Sequence, residues 1–173
     1  MEILRSVLEQ FALTFVPIFV ALDAVGNLPV VLSLMERAPA EERARTIRYA
    51  IITGLGIGLI FIAVGRGVFL LLGIRESDFL VAGGVVILVL ATSELVGGGR
   101  SERDAHWGGM IGVVPIGTPL MVGPAVLTTL LILIGRYPLP IVLVSFLLNL
   151  GFAWLTFWQA GRISSFLGSG GMA

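Results

Sequence analysis

Five stretches of this chain are too long and too apolar for any structure that must be coated by water. A helix crossing the hydrocarbon core of a bilayer needs about 20 mostly apolar residues, and runs of that length occupy approximately 11–35, 49–74, 79–98, 110–135 and 137–161. The last two hold one charge between them, Arg136 at their junction. None shows the two-residue alternation of a barrel strand, and open sheet edges leave backbone groups unsatisfied in lipid. The runs therefore predict an all-α, polytopic membrane protein with five transmembrane helices. Composition agrees, because only 13% of the 173 residues are charged, against about a quarter in soluble domains. The connections are short: Glu36 to Arg48 is charged, Ile74 to Asp78 is tight, Gly97 to Gly109 is Gly-rich and polar, and Arg136-Tyr137-Pro138 is a turn. A second domain has no room, so residues 1–173 read as one transmembrane domain, with a first half at 1–98, a loop at 99–109 and a second half at 110–173.

The 11 basic residues, all Arg, are balanced by 11 acids. No basic face is offered to nucleic acid and no acidic tail to cationic partners. With no Cys there is no disulfide framework, thiolate metal site or cysteine nucleophile, and the single His106 cannot anchor a histidine metal cluster. No Ser/His/Asp arrangement or phosphate-binding loop stands out, so neither an enzyme nor a cofactor is expected. The leader Met1 to Gln10 contains Glu2, Arg5 and Glu9 and lacks the positive region and cleavage site of a signal peptide, so the first run is expected to be retained. Arg5, Arg66, Arg75 and Arg136 fall on one side of the predicted spans, whereas Arg37, Arg43, Arg45, Arg48, Arg100, Arg103 and Arg162 fall on the other. The positive-inside bias places the N-terminus outside, the 36–48 loop in the cytoplasm and, after five spans, the C-terminus inside.

Two of the runs are interrupted. The first contains Asp23-Ala24-Val25-Gly26-Asn27-Leu28-Pro29 near its middle. An Asp at the centre of a span costs roughly 2.5–3.5 kcal/mol on insertion scales, and Gly and Pro lower helix propensity at the same place. The fourth contains Val114-Pro115-Ile116-Gly117-Thr118-Pro119-Leu120-Met121-Val122-Gly123-Pro124, whose prolines and glycines cannot all fit one straight helix. Broken helices at corresponding places in two halves point to the binding site of a transporter, where unwound backbone serves as ligand. If the first span corresponds to the fourth, the repeat is three helices long and inverted in topology. Only two spans follow the loop before the polar Gly168-Ser169-Gly170-Gly171 tail, so the three-plus-three repeat is incomplete. A proline kink with an Asp bonded to a neighbouring helix is the plain structural alternative.

Other features read as packing or anchoring. Gly54, Gly56 and Gly58, and Ala82, Gly83 and Gly84, make small faces on which helix backbones can approach. Asn149, midway along the fifth span, reaches either the central cavity or a neighbouring helix. Arg66 snorkels from the end of the second span, Glu94 lies near the end of the third, and Trp154 and Trp158 suit an interfacial belt. His106, beside Trp107, is expected to be solvated.

The order and spacing of Phe15-x-Pro17, Asp23-x-x-Gly26-Asn27-x-Pro29, Ala82-Gly83-Gly84 and Val114-Pro115-x-x-x-Pro119-x-x-x-Gly123-Pro124 resemble the MarC family of bacterial and archaeal inner-membrane proteins. That family is grouped with the small neutral amino acid transporters. The resemblance implies about six spans and, in some members, transport of glycine, alanine and similar amino acids with a cation gradient. Ala24 and Ala125 stand where the family usually has Pro and Gly, and the family continues past Gly168 into a sixth helix, so the chain is expected to be a fragment or a short form.

These readings combine into one expectation, a multi-pass transporter of the cell inner membrane for a small zwitterion. Half-helix N-termini near Gly26 to Pro29 or Gly123 to Pro124 would offer amides to a carboxylate. Asp23 and unwound carbonyls would take the ammonium or a proton, with Asp23 as the ion-coupling acid. Asn27, Thr118, Thr128 and Asn149 would add neutral hydrogen bonds. The expected partners are the lipid bilayer, the zwitterionic substrate and a proton or sodium ion, with a homo-oligomer left open. The rival expectation is a non-transporting membrane protein with an assembly or envelope-stress role.

Overall fold

The computed structural model describes residues 2–35, 38–96 and 112–167. The loop at 99–109 with His106 and Trp107, the residues Arg37, Arg100 and Arg103, and the Gly168 to Gly171 tail lie outside the described residues, as do the side chains of Glu94 and Arg162. The described chain forms α1 (Glu2–Leu22), α2 (Leu28–Leu34), α3 (Ala40–Leu72), α4 (Glu76–Val96), an irregular segment Gly112–Met121, α5 (Pro124–Ile134) and α6 (Leu139–Leu167). No strand occurs among the described residues.

Three stretches are long and apolar enough to cross a membrane: Leu4–Leu22, Ala40–Leu72 and Leu139–Gln159. The Gly112–Met121 and Pro124–Ile134 pair, bent by 56°, makes a fourth if taken as one broken span. Helix α4, 21 residues long, coincides with the third apolar run.

The starts of α1 and α3 differ from the sequence expectation for the same physical reason. Helix α1 begins at Glu2, so the first break follows a helix of 21 residues and leaves only the seven residues of α2 beyond it. Helix α3 begins at Ala40, so much of the expected loop from Glu36 to Arg48 is helical. Charge ends a span in lipid but does not end a helix. Glu, Arg, Ala and Leu are good helix formers, and Glu41 and Glu42 in the first turn of α3 complement its dipole. Arg45 lies over the Tyr49 ring at 5.5 Å, one turn along. At 1.5 Å per residue the 33-residue helix is about 50 Å long, longer than the roughly 30 Å hydrocarbon core. Its charged first turns therefore project past the apolar layer.

The core is a single cluster centred on α5, α6 and the irregular segment, with Leu130, Met121, Val122, Val142 and Phe146 wholly buried. Helix α5 buries Val126, Leu127, Thr128, Leu130, Leu131 and Leu133, nearly all of its circumference, because α1, α3, α4 and α6 all pack on it. Close approach depends on residues without side chains. A Cβ on Gly54 would meet Met121 and Val122, one on Gly58 would enter the Phe146 ring, and one on Gly83 would enter the Pro124 ring. Gly56 and Gly84, in the same small faces, have open space instead. The outer surface is apolar: Leu70, Leu71, Val81, Leu88 and Trp158 are all exposed, as suits side chains facing lipid.

Candidate functional site at two helix breaks

The first break is a closed turn. Asp23 has φ 43°, a left-handed conformation that Asp tolerates because its short side chain bonds locally. Its Oδ1 accepts the Gly26 N–H at 3.0 Å, and its carbonyl accepts the Asn27 N–H at 3.0 Å. A Cβ on Gly26 would collide with the Asp23 carboxylate, so the turn needs glycine there. Pro29 stands in the first turn of α2, where its missing N–H leaves no bond unmade. Asp23, Gly26 and Pro29 are all exposed.

The second break lies against protein. Val114 (φ −134°, ψ 126°) and Thr118 (φ −147°, ψ 138°) are extended inside the irregular segment. The Val122 N–H reaches back to the Gly117 carbonyl at 3.0 Å, and Thr118 Oγ1 donates to the Val122 carbonyl at 3.1 Å. Gly112 sits on the Thr46 carbonyl, Gly117 on the Ala50 carbonyl, and Met121 and Val122 on Gly54. The segment therefore runs alongside α3 in the same direction. Gly123, extended and buried, caps α5, with the Pro119 carbonyl where its Cβ would be.

The two breaks meet. Asn27 Nδ2 donates to the Leu22 carbonyl at 3.1 Å and to the Leu120 carbonyl at 3.2 Å, so one side chain of the first break holds the backbone of the second. Leu120 adjoins the residues on Gly54, and Gly54 lies in the charge-free stretch of α3 between Arg48 and Arg66. The junction is thus at membrane depth.

A second polar group joins α1 to α6. Thr14 and Ser145, both fully buried, share a hydroxyl hydrogen bond at 2.7 Å. Asn149 Nδ2 donates to the Phe15 carbonyl at 3.2 Å and the Ser145 carbonyl at 2.9 Å. Thr14 and Ser145 were not anticipated. The four-residue spacing of Ser145 and Asn149, which puts both on one helix face, was the available signal. Phe15 is seven residues, about 10 Å along α1, from Leu22, so Asn149 belongs to this seam rather than to the first break.

Two buried polar atoms have no hydrogen-bond partner among the described residues, Thr128 Oγ1 and Asn149 Oδ1. The contrast with the adjacent residue is informative. Thr129 Oγ1 donates to the Ala125 carbonyl at 2.7 Å, the usual outlet for a helical hydroxyl, while the Thr128 hydroxyl makes no such bond. Leaving such a group unpaired in the interior costs about 1–3 kcal/mol, which a bound polar group would relieve.

The predicted residues therefore separate. Asn27, Thr118, Gly123 and Pro124 gather at the junction, and Thr128 follows one turn along α5. Asp23, Gly26 and Pro29 lie on the exposed side of the first turn, and Asn149 lies in the α1–α6 seam.

A family model described as MarC family integral membrane protein matches residues 8–173. The chain belongs to the MarC family. Two UPF0056 membrane proteins of Methanocaldococcus jannaschii are similar to this MarC chain: one is 32% identical over 76% of the chain and 60% of its own length, the other 29% identical over 93% and 83%. The UPF0056 inner membrane protein YhgN of Escherichia coli K12 is 27% identical over 68% of the chain and 60% of its own length. The chain thus spans about 60% of the first and third of these relatives. No solved structure matches it. MarC membership and the long apolar helices make this an integral membrane protein.

Proposed function

We propose that this MarC-family chain is, or is part of, an inner-membrane secondary transporter for small neutral amino acids of the glycine and alanine kind, driven by a proton or sodium gradient. The observation that carries the reading is the hydrogen bond from Asn27 to the Leu120 carbonyl, which ties two broken helices together at membrane depth. Broken helices that meet inside a bilayer expose backbone where ligands can use it.

In this reading the N-terminus of α5, opened by Gly123 and Pro124, binds the substrate carboxylate through its unpaired first-turn amides. Thr118 lines the approach, and the unpaired Thr128 hydroxyl bonds the substrate from one turn further on. Asn149 Oδ1, the other unpaired buried atom, lies in the α1–α6 seam and is suited to a bridging water there rather than to this substrate. The site is small because Gly117 and Gly123 keep backbone close to backbone. Asp23, an acid beside the junction whose side chain is not buried by protein, is the coupling acid; each charge it helps move through 100 mV is worth about 2.3 kcal/mol. The correspondence of the two breaks treats the chain as an incomplete three-plus-three inverted repeat.

Uptake of labelled glycine and alanine into proteoliposomes, with and without an imposed gradient, tests this. The expected result is gradient-dependent uptake that Asp23→Asn abolishes without impairing insertion. Absence of uptake by correctly inserted protein, including a version extended to the length of its relatives, would favour the non-transporting membrane role.

A further inference from the structure

At the end of the bundle where α3 and α5 finish and α4 begins, a cavity of about 680 Å³ lies between Arg66, Arg75 and Arg136, with Ser77 on its wall. The volume is within the usual range for a small-molecule pocket. The three arginines come from separate places in the chain: the penultimate turn region of α3, the α3–α4 turn, and the residues after α5. Among the described side chains no carboxylate lines the cavity; the side chain of Glu76 lies outside the described residues. The nearest described acid, Asp78, has its Oδ2 on the Arg75 backbone N–H at 2.8 Å, which secures the α4 turn. Among the described residues no ion pair to Arg66, Arg75 or Arg136 is seen. Three guanidinium groups around one cavity repel one another unless an anion or water stands between them.

The remaining walls say what surrounds that anion. Phe69, Leu70, Leu131 and Ile132 line the cavity, and Leu70 and the adjoining Leu71 and Leu72 are 78%, 86% and 62% exposed. Apolar surface therefore continues outward past the level of Arg66, so acyl chains reach the height of the arginines. Along α3, Arg48 and Arg66 are 18 residues apart, about 27 Å, close to the roughly 30 Å thickness of the hydrocarbon core. The cavity thus opens at the level of the headgroups.

We infer that the Arg66, Arg75 and Arg136 cavity binds a phosphate group. Guanidinium pairs phosphate oxygens through two parallel hydrogen bonds, so three arginines and the Ser77 hydroxyl suit the several oxygens of a phosphate better than the two of a carboxylate. Phosphatidylglycerol and inorganic phosphate both present this chemistry. The site is separate from the helix breaks and does not depend on transport.

Full-length protein in a neutral detergent, titrated with inorganic phosphate or with short-chain phosphatidylglycerol, tests the inference through its melting temperature. Short-chain phosphatidylcholine serves as the net-neutral comparison. The expected result is a saturable rise in Tm with at least one of the two anions, weakened about tenfold or more in Arg75→Gln and Arg136→Gln. A response to phosphatidylglycerol alone assigns the site to lipid, and one to inorganic phosphate assigns it to a soluble ligand. Native mass spectrometry of the wild type supplies a readout that needs no variant. The inference is overturned if neither anion binds the wild type, if the variants bind as tightly as the wild type, or if phosphatidylcholine matches phosphatidylglycerol.

Discussion

The two helix breaks use the same residue types in different ways. Between α1 and α2 the chain turns by satisfying itself: the Asp23 carboxylate takes the Gly26 N–H, and Asp23, Val25, Gly26 and Pro29 face outward. Between the irregular segment and α5 the chain is extended at Thr118, and Gly117, Met121, Val122 and Gly123 are buried against the bundle. Helix breakers in a sequence therefore report where a helix stops. They do not report whether the groups released are capped locally or turned toward the interior. Among the described residues, Asn27 carries the hydrogen bond from one regime to the other, through the Leu120 carbonyl.

Introducing the same side chain into both breaks separates them most widely. In Gly117→Leu the new Cβ meets the Gly112 carbonyl at 2.8 Å and the Ala50 carbonyl at 3.1 Å, so the segment must leave α3. The expected loss is about 3 kcal/mol or more, read by denaturant unfolding in detergent. Gly26→Leu displaces only an exposed carboxylate and is expected to cost about 1 kcal/mol. Equal losses would dissolve the distinction. Gly56→Ala, facing open space, provides the unchanged reference.

Removing the link between the breaks comes next in size. Asn27→Leu strips both the Leu22 and Leu120 carbonyls of their side-chain donor and is expected to cost about 1–3 kcal/mol. Asp23→Asn, which keeps a residue suited to the left-handed backbone, weakens one exposed bond and is expected to cost about 0.5–1.5 kcal/mol. If Asp23→Asn were the more damaging in the same unfolding assay, the first break would be the structural keystone and the junction incidental.

The hydroxyls give the smallest stability effect and the sharpest functional one. Thr128→Val deletes an unpaired buried hydroxyl and is expected to leave stability unchanged or slightly raised, while lowering amino acid uptake. Thr118→Val loses its bond to the Val122 carbonyl and is expected to cost about 1 kcal/mol. A Thr128→Val protein with full uptake would show that this hydroxyl serves no substrate.

What could be read beforehand follows from the range of the interactions. Apolar runs are a local property set by bilayer thickness, so α4, α6 and the bent Gly112 to Ile134 pair overlap the runs, though α4 starts at Glu76 and α6 continues to Leu167. The starts of α1 and α3 were misplaced because Glu2 to Glu9 and Glu41 to Arg48 leave the lipid without leaving the helix. The glycines and prolines at both breaks were visible, but the Asp23 turn was not, since it depends on one carboxylate folding back three residues. The Thr14 and Ser145 contact joins positions 131 residues apart, and no local pattern encodes such a partner. Asn149 was legible as a polar residue in an apolar span; its partner, the Phe15 carbonyl on α1, was not.

The chain has no cysteine, so introduced pairs report proximity without background. Paired Asn27→Cys and Leu120→Cys substitutions, treated in native membranes with a short bifunctional thiol reagent, test the meeting of the two breaks. The account predicts efficient cross-linking that glycine or alanine slows, and little from a Val25→Cys and Leu120→Cys pair, because Val25 is exposed. Cross-linking from position 25 that equals or exceeds that from position 27, or none from position 27, would contradict it.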